Sequence, residues 1–125
     1  MQIQEQIVAR PGGYVVILRL TGKMTLMEGG EQLKKAVDRH LGAGGQRFVL
    51  DLEHVPYMDG AGLGELVRNF SKVERAGGML KLRKPNQSVR ERMSIAKLLM
   101  VLKEFDDEQQ AIESFAATAP STAAG

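Results

Sequence analysis

The chain has 125 residues, 43% of them hydrophobic and 26% charged, which bounds it to one globular domain with a single sizeable core. It has no cysteine, which excludes disulfides, thiolate metal ligands and a thiol nucleophile and fits a reducing compartment. A net charge of +2, 5% aromatics and no Trp exclude a strong global pull toward nucleic acid or anionic lipid, and a base-stacking platform.

The opening MQIQEQIVAR lacks the basic start and apolar stretch of a signal peptide. No segment approaches the roughly 20 apolar residues of a membrane helix. The expectation is a cytoplasmic protein without membrane insertion. Ile3, Ile7 and Val8 predict a weak first strand, and Pro11-Gly12-Gly13 is turn chemistry. Tyr14 to Leu20 (YVVILRL) is β-branched and apolar and predicts a buried strand ending at Thr21-Gly22. Thr25 and Glu28 have the spacing of a capping box, so a helix is expected from there to about His40, burying Leu33, Val37 and Leu41. Gly29 and Gly30 oppose that start, at about 1 kcal/mol each relative to Ala, and predict a loose or late first turn. Gly42 to Gly45 ends the helix.

Phe48 to Leu52 (FVLDL) is a second buried strand, and Pro56 places His54 to Met58 in a loop. Asp59 stands before a helix over about Gly60 to Arg75, whose apolar stripe is Leu63, Leu66, Val67, Phe70 and Val73. Met79 to Leu82 is a short strand. Asn86 is placed to cap a third helix through about Ser94. A further main strand is expected near Met100 to Phe105, and Asp106 or Asp107 should cap a last helix burying Ala111, Ile112 and Phe115. The stretch 117–125 reads as a flexible tail after a domain of residues 1–116. Alternation of strands and helices predicts an α/β fold with right-handed crossovers, about four helices and a mixed, mostly parallel sheet of four or five strands. The first strand would add the antiparallel edge.

The most informative stretch is Phe48 to Gly64, FVLDLEHVPYMDGAGLG. Asp59 can cap the unpaired N–H groups of the following helix. Gly60, Ala61 and Gly62 leave that first turn almost bare. Two readings follow: glycines for tight internal packing, or a surface that a partner's backbone or an anion approaches closely.

Met58-Asp59-Gly60-Ala61-Gly62-Leu63-Gly64 resembles the Met-Asp-Ser-Ser/Thr-Gly-Leu-Gly helix start of the bacterial STAS-domain anti-sigma-factor antagonists. Leu20-Thr21-Gly22-Lys23-Met24-Thr25 is similar to that family's Leu-Thr-Gly-Glu-Leu-Asp. Gly77-Gly78 before a strand and the run from Asp106 to Ala111 also fit, so the resemblance spans about residues 3 to 116. It implies a STAS-like domain that binds an anti-sigma factor, itself a serine kinase, and so releases a sigma factor and regulates transcription. In the family, phosphorylation of the serine after the Asp abolishes binding, because a phosphate adds nearly two negative charges at the contact. Here that position is Gly60, and the next hydroxyl position is Ala61. The family's Asp is Thr25 and its Glu is Lys23. The resemblance therefore implies a binding module that has lost the usual phosphorylation switch.

The implied partner surface is Lys23, Met24, Thr25, Met27, Met58, Asp59, Gly60, Ala61, Gly62 and Leu63. Met24, Met27 and Met58 could supply adaptable contacts. Such a protein could be constitutively active. It could be controlled by abundance, by a ligand or at another acceptor such as Thr25 or Tyr57. Alternatively it could serve as a STAS scaffold or transporter-associated subunit. Monomer and homodimer both remain open.

Other constellations are weaker. Lys81, Arg83, Lys84, Arg90, Arg92 and Lys97 could form a basic patch or a solvated helix face. Glu53, His54 and Asp59 lie close in sequence, but general acid/base chemistry also needs a pocket and a positioned substrate. His40 and His54 alone do not make a metal site. The Gly-rich stretches lack the Lys-Ser/Thr of a P-loop. No catalysis, cofactor, metal or direct DNA contact is expected.

Overall fold

The computed structural model describes residues 1–98 and 101–118. Five strands, β1 (Gln2–Arg10), β2 (Gly13–Thr21), β3 (Arg47–His54), β4 (Met79–Arg83) and β5 (Glu104–Phe105), lie side by side in chain order. β1 is antiparallel to β2, and the other pairings are parallel. The mixed α/β sheet is therefore the expected one. Its helices are α1 (Gly30–Gly42), α2 (Gly60–Arg75), α3 (Gln87–Ile95) and α4 (Glu108–Thr118).

Side-chain alternation divides the core into two layers. Val16, Leu18 and Leu20 of β2, Phe48, Leu50 and Leu52 of β3, and Leu80 and Leu82 of β4 face one way. They meet Leu33 and Val37 of α1, Leu66 and Val73 of α2, and Val89 and Met93 of α3. Val15, Ile17 and Val49 face the other way, against Ala111, Ile112 and Phe115 of α4. Three helices thus cover one face of the sheet, and α4 covers part of the other.

Three local expectations need correction. The Thr25–Glu28 capping box does not form. α1 starts late, after Gly29 at φ 93°, with no side-chain cap, because the backbones of Thr25 and Glu28 bond each other in a closed turn instead. Leu41 is half-buried at the rim of the core, while Ala36 occupies the fully buried position. The strand expected near Met100 to Phe105 is reduced to Glu104–Phe105: Val101 and Leu102 turn back onto the Leu98 carbonyl, and Met100 lies outside the described residues. α4 runs to Thr118, and residues 119–125 of the expected tail lie outside the described residues.

Candidate functional site

Two connections emerge from the C-terminal ends of the neighbouring parallel strands β2 and β3, and backbone hydrogen bonds join them. Gly22 N–H donates to the His54 carbonyl at 3.0 Å, Met24 N–H to Tyr57 at 3.0 Å, and Asp59 N–H back to Met24 at 3.2 Å. Met24 and Met58 pair in a parallel bridge, with both side chains buried in the core. They hold the site together from inside and do not form its surface.

Asp59 is the centre of the arrangement. Its Oδ1 accepts the Gly62 N–H at 2.7 Å, capping α2 as the sequence predicted. Its Oδ2 accepts the Leu26 N–H, 33 residues away, at 3.1 Å. One carboxylate therefore clamps the 25–28 turn onto the first turn of α2. The Gly62 N–H, then the Leu26 N–H, hold the Asp59 pKa below the ordinary aspartate value, with smaller help from the Ala61 N–H and the positive charge of Arg92.

The clamped turn is closed at both ends: Thr25 N–H donates to the Glu28 carbonyl at 2.8 Å and Glu28 N–H to Thr25 at 3.3 Å. Thr25 Oγ1 accepts the Met27 N–H at 3.2 Å, so its hydroxyl also serves the turn. This geometry points Leu26 and Met27 into solvent, 78% and 87% exposed. Two adjacent large apolar side chains held in that way form an ordered ridge that water disfavours and an apolar partner would cover. Behind the ridge lies a polar cleft of about 210 Å³ whose walls include Thr25, Met27, Glu31, Ala61, Glu65 and Arg68.

The glycines of this helix start have opposite roles. A Cβ on Gly62 would sit 2.6 Å from the Met24 carbonyl carbon and 3.0 Å from Met58 Cγ, so the close approach of the two connections requires glycine. A Cβ on Gly60 would meet nothing within 4 Å. Gly60 is exposed and its φ is not positive, so neither packing nor backbone geometry demands glycine there.

Comparison with known proteins agrees with this architecture. The sequence pattern of the STAS domain matches residues 6–111. The chain belongs to the STAS domain family. A Thermotoga neapolitana protein named as an anti-sigma factor antagonist and TM1081 homologue is 30% identical over 99 residues, covering 78% of this chain and 88% of that protein. The Thermotoga maritima protein TM1081, named as an anti-sigma factor antagonist, superposes with a TM-score of 0.78 at 26% identity, over 90% of this chain and 92% of that one. Unphosphorylated SpoIIAA, also an anti-sigma factor antagonist, shares the fold with a TM-score of 0.76 at 20% identity, over 93% of this chain and 97% of that one.

Within this STAS domain, Lys23, Thr25, Met27, Asp59, Gly60 and Ala61 are partly or fully exposed around the clamp. Gly62 is buried, and Leu63 packs half-buried against the core. Sequence reasoning did not single out Leu26, whose side chain points outward, and counted the inward Met24 in the surface instead. It also missed the support behind the 55–59 loop. Asn86 caps α3 through Oδ1 and donates through Nδ2 to the Val55 and Pro56 carbonyls at 2.9 and 3.2 Å. Arg92 lies 5.9 Å from the centre of the Tyr57 ring.

The other candidates disperse. Lys81 is buried, with Nζ 4.4 Å from the centre of the Phe115 ring and 2.7 Å from Ser114 Oγ. Arg83 reaches Asp51 and Glu53, and Arg90 reaches Glu104 at 2.7 Å. These ion pairs break up the basic patch, one of the two readings of that stretch. Glu53 faces Arg83 and Lys84, His54 is exposed, and both Asp59 oxygens hold backbone N–H groups, so the three form no acid/base set. His40 sits against Glu5 at 2.7 Å and packs edge-on to Phe48. Among the described residues, no group of three His, Asp or Glu side chains is placed to hold a metal, and no helix is long and apolar enough to cross a membrane.

Proposed function

We propose that this STAS domain is an anti-sigma-factor antagonist. It binds a kinase-type anti-sigma factor through the Leu26–Met27 ridge and the exposed start of α2, and so frees a sigma factor for transcription. The observation that carries this reading is the Asp59 carboxylate, which fixes an exposed apolar turn beside an open helix N-terminus. A rigid apolar anchor loses little entropy on docking. Lys23, Thr25, Asp59, Gly60 and Ala61 form the polar and small-residue rim. Met24, Met58, Gly62 and Leu63 contribute from beneath by holding the geometry. The protein acts by binding in the cytoplasm, without catalysis, cofactor or direct DNA contact.

With Gly60 at the serine position of the resemblance, the module is not switched by phosphorylation there. Glycine has no hydroxyl to accept a phosphate, and the open space at Gly60 leaves room for a serine without disturbing the fold. The test is titration of the purified protein against each anti-sigma kinase of the same genome, with and without nucleotide. Binding to one of them that falls at least tenfold in Met27→Asp, with unchanged far-UV circular dichroism, is expected. Failure to bind any would refute the proposal. Gly60→Ser should become a substrate of the cognate kinase, while the native chain is not phosphorylated at this turn.

A further inference from the structure

β1 is a nine-residue strand at the edge of the sheet, whereas the opposite edge, β5, has two residues. A long open edge presents unpaired N–H and C=O groups and is a template for another strand. Which groups are open follows from the hairpin. The two-residue loop Pro11–Gly12 makes Arg10 and Gly13 the closing hydrogen-bonded pair. Bonding alternates along an antiparallel ladder, so Val8, Gln6 and Gln4 also turn their backbone groups to β2. Glu5, Ile7 and Ala9 turn theirs to the open edge. Ile7 lies in the middle of this edge and is 52% exposed, although it is a large apolar residue.

We propose that a second copy of this chain occupies that edge, pairing β1 with β1 antiparallel about a two-fold axis at Ile7. In this register Ile7 faces the partner's Ile7 and the two side chains cover each other. Glu5 faces the partner's Ala9, Gln6 the partner's Val8, and Gln4 the partner's Arg10. The outward groups of Glu5, Ile7 and Ala9 supply about six new backbone hydrogen bonds, about two from each of the hydrogen-bonded residue pairs they form. The registers shifted toward the N-terminus of β1 are worse. Centring on Glu5 sets two carboxylates directly opposite. Centring on Gln6 sets Ile7 against a carboxylate already held by Arg39 and His40. Joining the edges makes one continuous ten-stranded sheet from two five-stranded ones.

The functional consequence is bivalency. The two-fold axis stands normal to the sheet between the two edge strands and reverses their direction. The clamp at the C-terminal ends of β2 and β3 in one copy and that of the other then lie at opposite ends of the joined sheet, both uncovered. The proposal does not depend on the identity of the partner that the clamp binds. A single strand pair buries less than the ~1,200–2,000 Å² of a stable complex, so the dimer is reversible and forms at high concentration.

Sedimentation velocity of the full chain from about 10 µM to about 1 mM should show the mass rising from 13.7 kDa toward twice that value. Ile7→Lys, which sets two ammonium groups on the axis, should stay monomeric across the range. So should Ile7→Pro, which removes an outward N–H that the monomer does not use. Amide exchange at Glu5, Ile7 and Ala9 should slow with concentration in the native chain and not in a folded variant. A native chain monomeric at every concentration, or a dimer that survives both substitutions, would overturn the proposal. Loss of dimer in either folded variant, with partner binding at the clamp retained, supports it and separates it from the functional reading.

Discussion

Replacing Gly62 by Ala should destabilise the domain, whereas the same replacement two residues earlier should not. The added methyl at position 62 would lie 2.6 Å from the Met24 carbonyl carbon and 3.0 Å from Met58 Cγ. Carbon atoms rest at about 3.5–4.0 Å, so the Met24 peptide must retreat by about 1 Å. It cannot do so freely. Its carbonyl accepts the Asp59 N–H at 3.2 Å, and its side chain is locked in the core. Overpacking of this kind costs about 1–3 kcal/mol, and the weakened backbone hydrogen bond adds about 1 kcal/mol. Better helix propensity returns up to about 1 kcal/mol. The net expectation is a loss of about 2–3 kcal/mol.

At Gly60 the methyl meets nothing within 4 Å, so only the propensity and unfolded-state gain remains, about 0.5–1 kcal/mol in favour of the fold. Urea denaturation reads both changes. With a slope of about 1.5–2 kcal/mol per molar for a chain of this size, the Gly62→Ala midpoint should fall by about 1–2 M. The Gly60→Ala midpoint should hold or rise slightly. Equal midpoints for the two variants would mean that the Met24–Gly62 approach does not constrain the fold, and the account of the clamp would fail.

The Asp59 carboxylate offers a pH test. Its pKa is lowered in the folded state, so the folded protein binds that proton less readily than the unfolded chain. Its stabilisation is complete above the ordinary aspartate pKa of about 3.9 and is lost as pH falls through the lowered value. The Leu26 and Gly62 amide resonances should titrate below about 3.9, and inflections at or above it would contradict the clamp. Lys81 works in the opposite sense. Burial first, and then the charge of Lys103, lower its pKa. The charged form therefore burdens the fold below that value, and stability should climb as pH rises toward the ordinary lysine value of about 10.4. Lys81→Met should remove the climb and change stability at neutral pH by less than about 1 kcal/mol; a loss above about 2 kcal/mol would show that its contacts to Phe115 and Ser114 outweigh the desolvation. Phe115→Ala should cost about 3–5 kcal/mol in denaturant, because α4 seals Val15, Ile17 and Val49 through this ring. A loss below about 1.5 kcal/mol would mean that α4 is loosely docked.

The elements that could be read from sequence are those whose own residues carry the instruction. β2 and β3 are unbroken apolar runs, and α2 has both a cap and a full stripe. Asp59 and Asn86 act as the caps their positions suggested. Reading failed where a distant partner decides the outcome. Thr25 and Glu28 have capping-box spacing, yet Asp59, supplied from beyond β3, draws the turn into a different closure. The three methionines of the expected surface look alike in sequence. Met24 and Met58 face inward because their backbones bridge, and Met27 faces outward because the turn reverses the chain between Thr25 and Glu28. Lys81 reads as part of a basic stretch, but strand alternation places it beneath α4. Spacing along one segment cannot encode any of these three outcomes.

The choice between tight packing and a contact surface, left open by Gly60-Ala61-Gly62, dissolves once each position is taken alone. Gly62 is fixed by the backbone of the neighbouring connection, so it serves the fold whatever the partner. Gly60 is fixed by nothing within the molecule. Asp59 serves both purposes, since its two oxygens hold the helix start and the apolar turn separately. A chain can therefore exchange the residue at position 60 without cost to the clamp, and lose a regulatory hydroxyl while its binding geometry stays intact. The reverse exchange, at Gly62 or Asp59, would alter the fold and the surface together. Under the proposed function, a serine placed at position 60 should make the chain a kinase substrate without altering the Leu26–Met27 ridge.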